Sequence, residues 1–389
     1  MKILCSSNMP YAHEAFSTLG NTTVIDDRSI ITSRDVQDAD ILAVRSAVKI
    51  NRDLLEKSSV KFVGTATVGT DHLDIAYLES VGIKWCYSPG CNANSVSEYV
   101  AAALLSVADR NNFSLKGKTI GVVGVGCVGS LIVEKAKVLG MNVLMNDPPR
   151  AKREYEIRDT KCEMRDTQKW SSLDKVLMDA DILTMHVPLT LEGPDATYHM
   201  AGKEFFSRMK PGCIFLNTAR GAVVETNALM AALEADIVSC AVIDTWENEP
   251  DINRNLLNRV DIGTPHIAGH SLEGKVKGTE MVYTEACRFL KIKPKWTFVL
   301  PPPAVPELEI NAANSRDENI LGNVVRKIYD IETDNQNLRE CGSGSSLASH
   351  FDDLRENYHV RREFKSTRVV FHDANPTLIK KTTGLGFSI

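Results

Sequence analysis

Three polar residues stand just beyond apolar runs in the middle of the chain. Arg220 follows the run over 213–217, Glu249 the run over 239–243, and His266 the run over 260–262. A guanidinium is a fixed, planar donor for a carboxylate, and an imidazole gains and loses a proton near neutral pH. In an open α/β sheet the ligand crevice lies beyond the carboxyl ends of the strands, so all three can converge there. Taken singly, Arg220 reads equally as a surface ion-pair residue, Glu249 as a solvated turn residue and His266 as a satisfied buried imidazole.

A fourth feature carries more information. Gly124-Val125-Gly126-Cys127-Val128-Gly129 follows the apolar run 119–123 and opens a helix whose apolar positions include Val128, Leu131, Ile132, Ala136 and Leu139. In such a turn Gly124 allows the tight bend, Gly126 lets backbone approach a pyrophosphate, and Gly129 lets the helix lie close on the strand. The helix N-terminus then presents N–H groups to the anion. Asp147 ends the next strand, where a carboxylate accepts hydrogen bonds from both adenosine ribose hydroxyls and repels a 2′-phosphate. The turn is therefore assigned to a nicotinamide dinucleotide, NAD rather than NADP, although the nearby Arg150 leaves NADP open.

These residues need a scaffold. Apolar runs at 2–5, 41–44, 62–64 and 84–87 alternate with helix-like segments at 10–19, 51–57 and 74–81, the signature of a parallel sheet covered on both faces. A helix is expected over 95–108. The pattern then restarts, with strands at 119–123, 142–146, 181–186, 213–217, 239–243 and 260–262 and crossover helices such as 128–139 and 226–234. Residues 150–168 are charged and aperiodic and read as a surface excursion. Leu300-Pro301-Pro302-Pro303 looks like a stiff linker. Beyond it Ile320, Leu321, Val324, Val325 and Ile328 share one helical face, and Gly342-Ser343-Gly344-Ser345-Ser346 looks like a flexible loop. There are no internal repeats.

At 389 residues the chain exceeds one comfortable core, so two or three domains are expected. A formal charge of −5 gives no hint of nucleic-acid or membrane binding, so an anionic substrate needs local Arg or Lys. Nine cysteines without a CxxC pair, mostly inside apolar runs, point to reduced core thiols in a cytoplasmic protein rather than to disulfides or a metal site. The N-terminus is too little apolar for a signal peptide.

The segments Asn217-Thr218-Ala219-Arg220-Gly221, Asp244-Thr245-Trp246-Glu247-Asn248-Glu249-Pro250 and Thr264-Pro265-His266-Ile267-Ala268-Gly269 resemble the signatures of the D-isomer-specific 2-hydroxyacid dehydrogenases, and the resemblance spans most of residues 1–290. It implies an NAD-dependent oxidation at C2 of a 2-hydroxy acid. His266 would be the general base, Glu249 would hold its other ring nitrogen, and Arg220 would grip the substrate carboxylate. Cofactor contacts implied in the same way are Gly124, Gly126, Cys127, Val128, Gly129, Asp147, Val187, Pro188, Thr218, Ala219, Arg220, Asp244 and Gly269. The implied fold is α/β, with two doubly wound Rossmann-like domains. The substrate-binding domain takes 1–94 and 268–293, and the NAD-binding domain 95–267.

Two segments near the N-terminus, Gly64-Thr65-Ala66-Thr67-Val68-Gly69-Thr70-Asp71-His72 and Ser88-Pro89-Gly90-Cys91-Asn92-Ala93, with Asp147-Pro148-Pro149-Arg150 and the tail Phe351-Asp352-Asp353-Leu354-Arg355-Glu356-Asn357-Tyr358, resemble a narrower group in that family. That group acts on a phosphorylated 2-hydroxy acid and carries a small α+β C-terminal dimerisation domain, here 294–389. The resemblance implies a homodimer and substrate contacts from Arg45, Ser46, Thr67, Gly69 and His270. His270 stands where a Tyr is usual, and Val187 where a Thr is common. The basic pair Arg361-Arg362, in a domain that otherwise looks structural, is placed to reach a partner's active site. A phosphoglycerate- or glycerate-type dehydrogenase and a non-catalytic NAD(H)-sensing protein are the rival readings.

Overall fold

The apolar runs of the first hundred residues become parallel strands: β1 (Lys2–Ser6), β2 (Asn21–Ile25), β3 (Ile41–Val44), β4 (Phe62–Thr65) and β5 (Lys84–Cys86), in the order β2-β1-β3-β4-β5. The computed structural model describes residues 1–26, 31–160, 170–313, 315–342 and 346–389, over 155–160 the backbone alone. They divide into two compact units, Met1–Asn94 with His270–Pro302, and Ser95–Gly269 with Pro303–Ile389. In the first unit β3 and β4 are buried at every position, as inner strands covered on both faces must be. Strand β2 was not anticipated. It lies at the sheet edge and is mostly solvent-facing, so Asn21-Thr22-Thr23 leaves no apolar run to read. The helix Leu272–Phe289 returns to cover this sheet, burying Val282, Tyr283, Ala286 and Cys287 with Ile3, Phe16 and Phe62. A Cβ at Gly64 would lie 2.2 Å from Val282 Cγ1, so glycine there sets how closely helix and strand approach.

The second unit is built on β6 (Thr119–Val123), β7 (Asn142–Asn146), β8 (Ile182–Met185), β9 (Cys213–Asn217), β10 (Val238–Ile243) and β11 (Ile262–Gly263), all parallel, in the order β11-β10-β9-β8-β6-β7. Trp170 forms one isolated parallel bridge to Met145 on β7. The order reverses between β6 and β8, the switch point at which doubly wound sheets bind ligands. Residues 150–168 are not simply an irregular excursion. Pro148–Thr160 is a helix, and residues 161–169 lie outside the described residues. Asp147 accepts the Arg150 N–H at 3.0 Å, two prolines preset the first turn, and Arg150 pairs with Glu154 one turn on. A helix held by caps and charge pairs leaves no apolar period to detect.

Residues 303–389 add β12 (Glu307–Asn311) and β13 (Arg368–His372), a parallel pair, and the helices Asp317–Ile328, Ile331–Arg339, Leu347–Glu356 and Pro376–Leu385. Ile320, Leu321, Val324 and Val325 are buried as one face. Together with Phe364, Leu378, Leu385 and Phe387 they share a core with Val100, Leu104, Ile132 and Ala136. A fully buried leucine such as Leu378 contributes about 1.5–3 kcal/mol relative to an exposed one. Phe351 from the Leu347–Glu356 helix lies in a second core with Trp246 and Ile252. No helix among the described residues is long and apolar enough to cross a membrane.

Candidate active site

Strands β9, β10 and β11 are neighbours, and the three loops leaving their carboxyl ends carry Arg220, Glu249 and His266. The loops interlock. Trp246 donates its indole N–H to the Thr264 carbonyl at 2.9 Å. A Cβ on Gly221 would lie 1.7 Å from the Trp246 carbonyl oxygen, so only glycine lets the turn behind Arg220 sit on the loop that carries Glu249. Asn217 fixes the start of that turn: its side-chain oxygen accepts the Ala219 N–H, and its amide donates to the Arg220 and Thr245 carbonyls.

His266 Nδ1 lies 2.7 Å from Glu249 Oε2, while Glu249 Oε1 accepts the Trp246 N–H at 2.6 Å. Burial pushes the Glu249 carboxyl up, but His266, that N–H and the positive charge of Arg355 outweigh it and hold Glu249 below the ordinary glutamate value. An ionised Glu249 is an acceptor only, so Nδ1 carries the hydrogen and the lone pair sits on Nε2. His266 has a left-handed backbone, φ 56°. A non-glycine residue there costs of order 1–3 kcal/mol and persists only where its surroundings fix it. Asp244, buried at the end of β10, supplies much of that: Oδ1 accepts from Thr264 Oγ1 at 2.7 Å and Ile267 N at 2.8 Å, and Oδ2 from Ala268 N at 3.1 Å. Burial raises the Asp244 carboxyl above its ordinary value, against the pull of His266 and these donors. Gly269 follows at the end of the loop.

The glycine turn fits a dinucleotide. Gly124 has φ +86°, and a Cβ there would strike the backbone of His186 and Val187 at 2.7 Å; one on Gly129 would lie 2.1 Å from the Gly124 carbonyl oxygen. Above Gly126 there is open space, and the helix Cys127–Val138 behind it begins without a side-chain cap, as an anion site requires. Cys127 is exposed and Val128 half-buried in its first turn. Asp147 Oδ2 accepts the Val125 N–H at 2.9 Å, which places the carboxylate against the turn. Arg150 is folded onto the same turn, donating to the Val125 carbonyl and to Ser130 Oγ, with its guanidinium over the Trp170 ring. Beyond β8, Pro188 accepts from Thr197 Oγ1 at 2.6 Å. His186 holds Thr218 through Nδ1 at 3.2 Å and Thr184 through Nε2 at 2.7 Å, and burial lowers its pKa to about 3, so it is neutral at neutral pH.

In the first unit Arg45 and Ser46 follow β3 and Thr67 and Gly69 follow its neighbour β4, again at carboxyl ends. Thr67 Oγ1 donates to the Gly69 carbonyl at 2.9 Å and meets Thr65 Oγ1 at 2.8 Å. The Arg45 charge reaches Cys91, opposing the burial that pushes that thiol up to about 11. His270 precedes Ser271, the N-cap of the Leu272–Phe289 helix. Among the described residues no group of His, Cys, Asp and Glu is arranged to hold a metal ion.

Arg361 is turned inward in its own chain. It is 4% exposed, and its Nη2 donates to the carbonyls of Ala268 and Ser95 in the same unit. Arg362 Nη2 donates to Ser366 Oγ at 3.2 Å. Sequence reasoning missed the parts played by Arg361, His186 and Trp246. Each acts through a contact distant in sequence, and no local spacing announces it.

The family model for the D-isomer specific 2-hydroxyacid dehydrogenase NAD-binding domain matches residues 93–268, and a domain of unknown function, DUF3410, matches 299–386. The chain belongs to the D-isomer-specific 2-hydroxyacid dehydrogenases, and it is an NAD-dependent dehydrogenase. Within that family it is similar end to end to erythronate-4-phosphate dehydrogenases. It is 43% identical to that of Cronobacter sakazakii, covering 100% of this chain and 98% of the relative. It is 42% identical to that of Escherichia coli, covering 96% and 95%. Among solved structures, D-lactate dehydrogenase of Aquifex aeolicus, complexed with NAD and lactic acid, is 28% identical with a TM-score of 0.60, covering 74% of this chain and 95% of that one. The 3-phosphoglycerate dehydrogenase of Entamoeba histolytica shares the fold at 21% identity and a TM-score of 0.62, covering 77% and 99%.

Proposed function

We propose that this protein oxidises 4-phospho-D-erythronate to 2-oxo-3-hydroxy-4-phosphobutanoate with NAD, in the route to pyridoxal 5′-phosphate, using Arg220, Glu249 and His266. The observation that carries the reading is the His266–Glu249 contact of 2.7 Å at the carboxyl end of the sheet, in a chain 43% identical throughout to enzymes of that name. His266 Nε2 takes the proton of the C2 hydroxyl. Glu249 keeps Nδ1 protonated and stabilises the imidazolium that forms. Arg220 holds the substrate carboxylate and polarises the C2 oxygen, as a forked donor can. Bound NAD supplies the two-electron acceptor for the hydrogen leaving C2. Gly124, Gly126 and Gly129 seat its pyrophosphate on the helix N-terminus with Cys127 and Val128, and Asp147 accepts from its ribose. Val187, Pro188, Thr218, Ala219 and Gly269 line the nicotinamide end. Asp244 acts mainly through the His266 loop, which it ties from beneath. Arg45, Ser46, Thr67, Gly69 and His270 recognise the phosphorylated substrate, since a dianion needs donors.

We further read residues 1–94 with 268–293 as the substrate-binding domain, 95–267 as the NAD-binding domain and 294–389 as a dimerisation domain of a cytoplasmic homodimer. Light scattering across a dilution series tests the dimer. For the activity, purified protein and NAD are mixed with D-4-phosphoerythronate, D-3-phosphoglycerate or D-glycerate, with a 2-oxo acid acceptor where needed, and NADH is followed. Turnover with the first compound is expected. No reaction with it overturns the substrate assignment, and near-normal rates in His266→Ala or Arg220→Ala overturn the roles.

A further inference from the structure

The loop that carries His266 is tied from both sides. On the amide side, Ile267 and Ala268 donate to Asp244, and the His266 N–H donates to the Asp244 carbonyl at 2.9 Å. On the carbonyl side, the Ala268 oxygen accepts from Arg361 Nη2, which arrives from the C-terminal residues. The same nitrogen donates to the Ser95 carbonyl at 3.3 Å, and Ser95 Oγ donates to Glu363 Oε1 at 3.0 Å. The guanidinium lies 4.5 Å from the centroid of the Tyr329 ring. Tyr329 and Tyr358 both donate to Asp334 Oδ2, at 3.0 and 2.7 Å, so the box around Arg361 is itself fixed by hydrogen bonds.

A buried guanidinium is expensive unless its geometry is well satisfied, and an apolar side chain of similar volume would fill this space at less cost. Its Nη2 holds two carbonyls at once, which such a side chain cannot. The contact falls two residues after His266, in a loop whose left-handed residue needs fixing from outside. The same C-terminal stretch bears on the other half of the dyad. Arg355, on the Leu347–Glu356 helix, places positive charge near Glu249, and Asp352 on that helix feels both.

We propose that Arg361 is a positioning residue: the C-terminal residues hold the His266 loop in its working geometry within their own chain, through the Arg361–Ala268 hydrogen bond. The proposal rests on His266 being the base. It gives residues 299–386, whose family model is a domain of unknown function, a part in the oxidation itself besides any in assembly.

The test compares full-length wild type, Arg361→Met, Arg361→Lys and His266→Asn, with D-4-phosphoerythronate and NAD. A purely structural Arg361 would lower the melting temperature and leave kcat of the folded enzyme alone. A positioning Arg361 separates the constants. In Arg361→Met kcat falls about tenfold or more, while KM for the substrate and Kd for NADH stay within about twofold, and the isotope effect on kcat with C2-deuterated substrate rises as the chemical step, hydride transfer coupled to proton removal by His266, becomes rate-limiting. Arg361→Lys, which keeps the charge and one donor, recovers part of the loss. If Arg361→Met does not fold, the readout is hydrogen exchange of residues 264–269 in Arg361→Lys, expected faster than in wild type by about tenfold. Folded Arg361→Met with kcat within about twofold of wild type, or unchanged exchange in Arg361→Lys, overturns the proposal while leaving an inactive His266→Asn and the base assignment intact. Full turnover in His266→Asn overturns both.

Discussion

Thr264 offers a test of how the base is held, because its one hydroxyl joins two buried partners. Oγ1 lies 2.7 Å from Asp244 Oδ1 and 2.6 Å from the Tyr99 oxygen. A threonine hydroxyl has one hydrogen, and the carboxylate takes it, so Tyr99 must be the donor to Thr264. All three side chains are within 1% of full burial. Tyr99→Phe removes one neutral hydrogen bond and leaves Thr264 without one of its two partners, a cost of about 1 kcal/mol. Thr264→Val loses the bond to a charged acceptor, about 1.5–3 kcal/mol, and also strands the buried Tyr99 hydroxyl, about 1–3 kcal/mol more. Combining the two removes the stranded donor, so Thr264→Val should cost about 1–3 kcal/mol less in the Tyr99→Phe background than in wild type. Urea unfolding at one fixed protein concentration measures all four corners of the cycle, and kcat should drop further in Thr264→Val than in Tyr99→Phe. Additivity within about 0.5 kcal/mol, or a Thr264→Val no costlier than Tyr99→Phe, refutes the relay from Tyr99 through Thr264 to Asp244.

Glu249→Gln keeps the shape of the dyad and removes the charge that stabilises the imidazolium, so kcat should fall by about 10²–10⁴ with little change in NADH binding, checked by steady-state kinetics and fluorescence titration. Gly129→Ala would put a Cβ 2.1 Å from the Gly124 carbonyl oxygen, so the turn must shift and NADH affinity should weaken by about tenfold or more, roughly 1.4 kcal/mol. Glu98 should make stability depend on pH. Burial, with Glu363 adding to it, raises its pKa from 4.5 to about 8, against Lys135, the Phe364 N–H and Arg361. The folded protein therefore keeps a proton that the unfolded chain loses above 4.5, and this contribution is full below that value and is lost as pH rises through about 8. The melting temperature should decline from about pH 4.5 to about pH 8, and Glu98→Gln should flatten the decline.

Local rules reached far into this chain. The turn Gly124 to Gly129 with Asp147 was legible because phosphate binding on a strand–turn–helix needs those residue types at that spacing, and strands buried on both faces announce themselves as unbroken apolar runs. The edge strand Asn21–Ile25 and the helix Pro148–Thr160 were not legible, since neither buries an apolar period. Arg220, Glu249 and His266 could be named from the runs that precede them, because parallel strands present their carboxyl ends to one crevice. Which ring nitrogen of His266 faces the substrate was decided only when Glu249 arrived from a different loop at 2.7 Å. The place of Arg361 was decided by tertiary structure alone: in the sequence it is one of two adjacent arginines in a polar tail, and in the fold it is buried against Ala268, ninety-three residues away. Spacing along a chain encodes contacts within a turn or between successive strands. A hydrogen bond across that separation depends on how whole elements come to lie side by side, which no local pattern records.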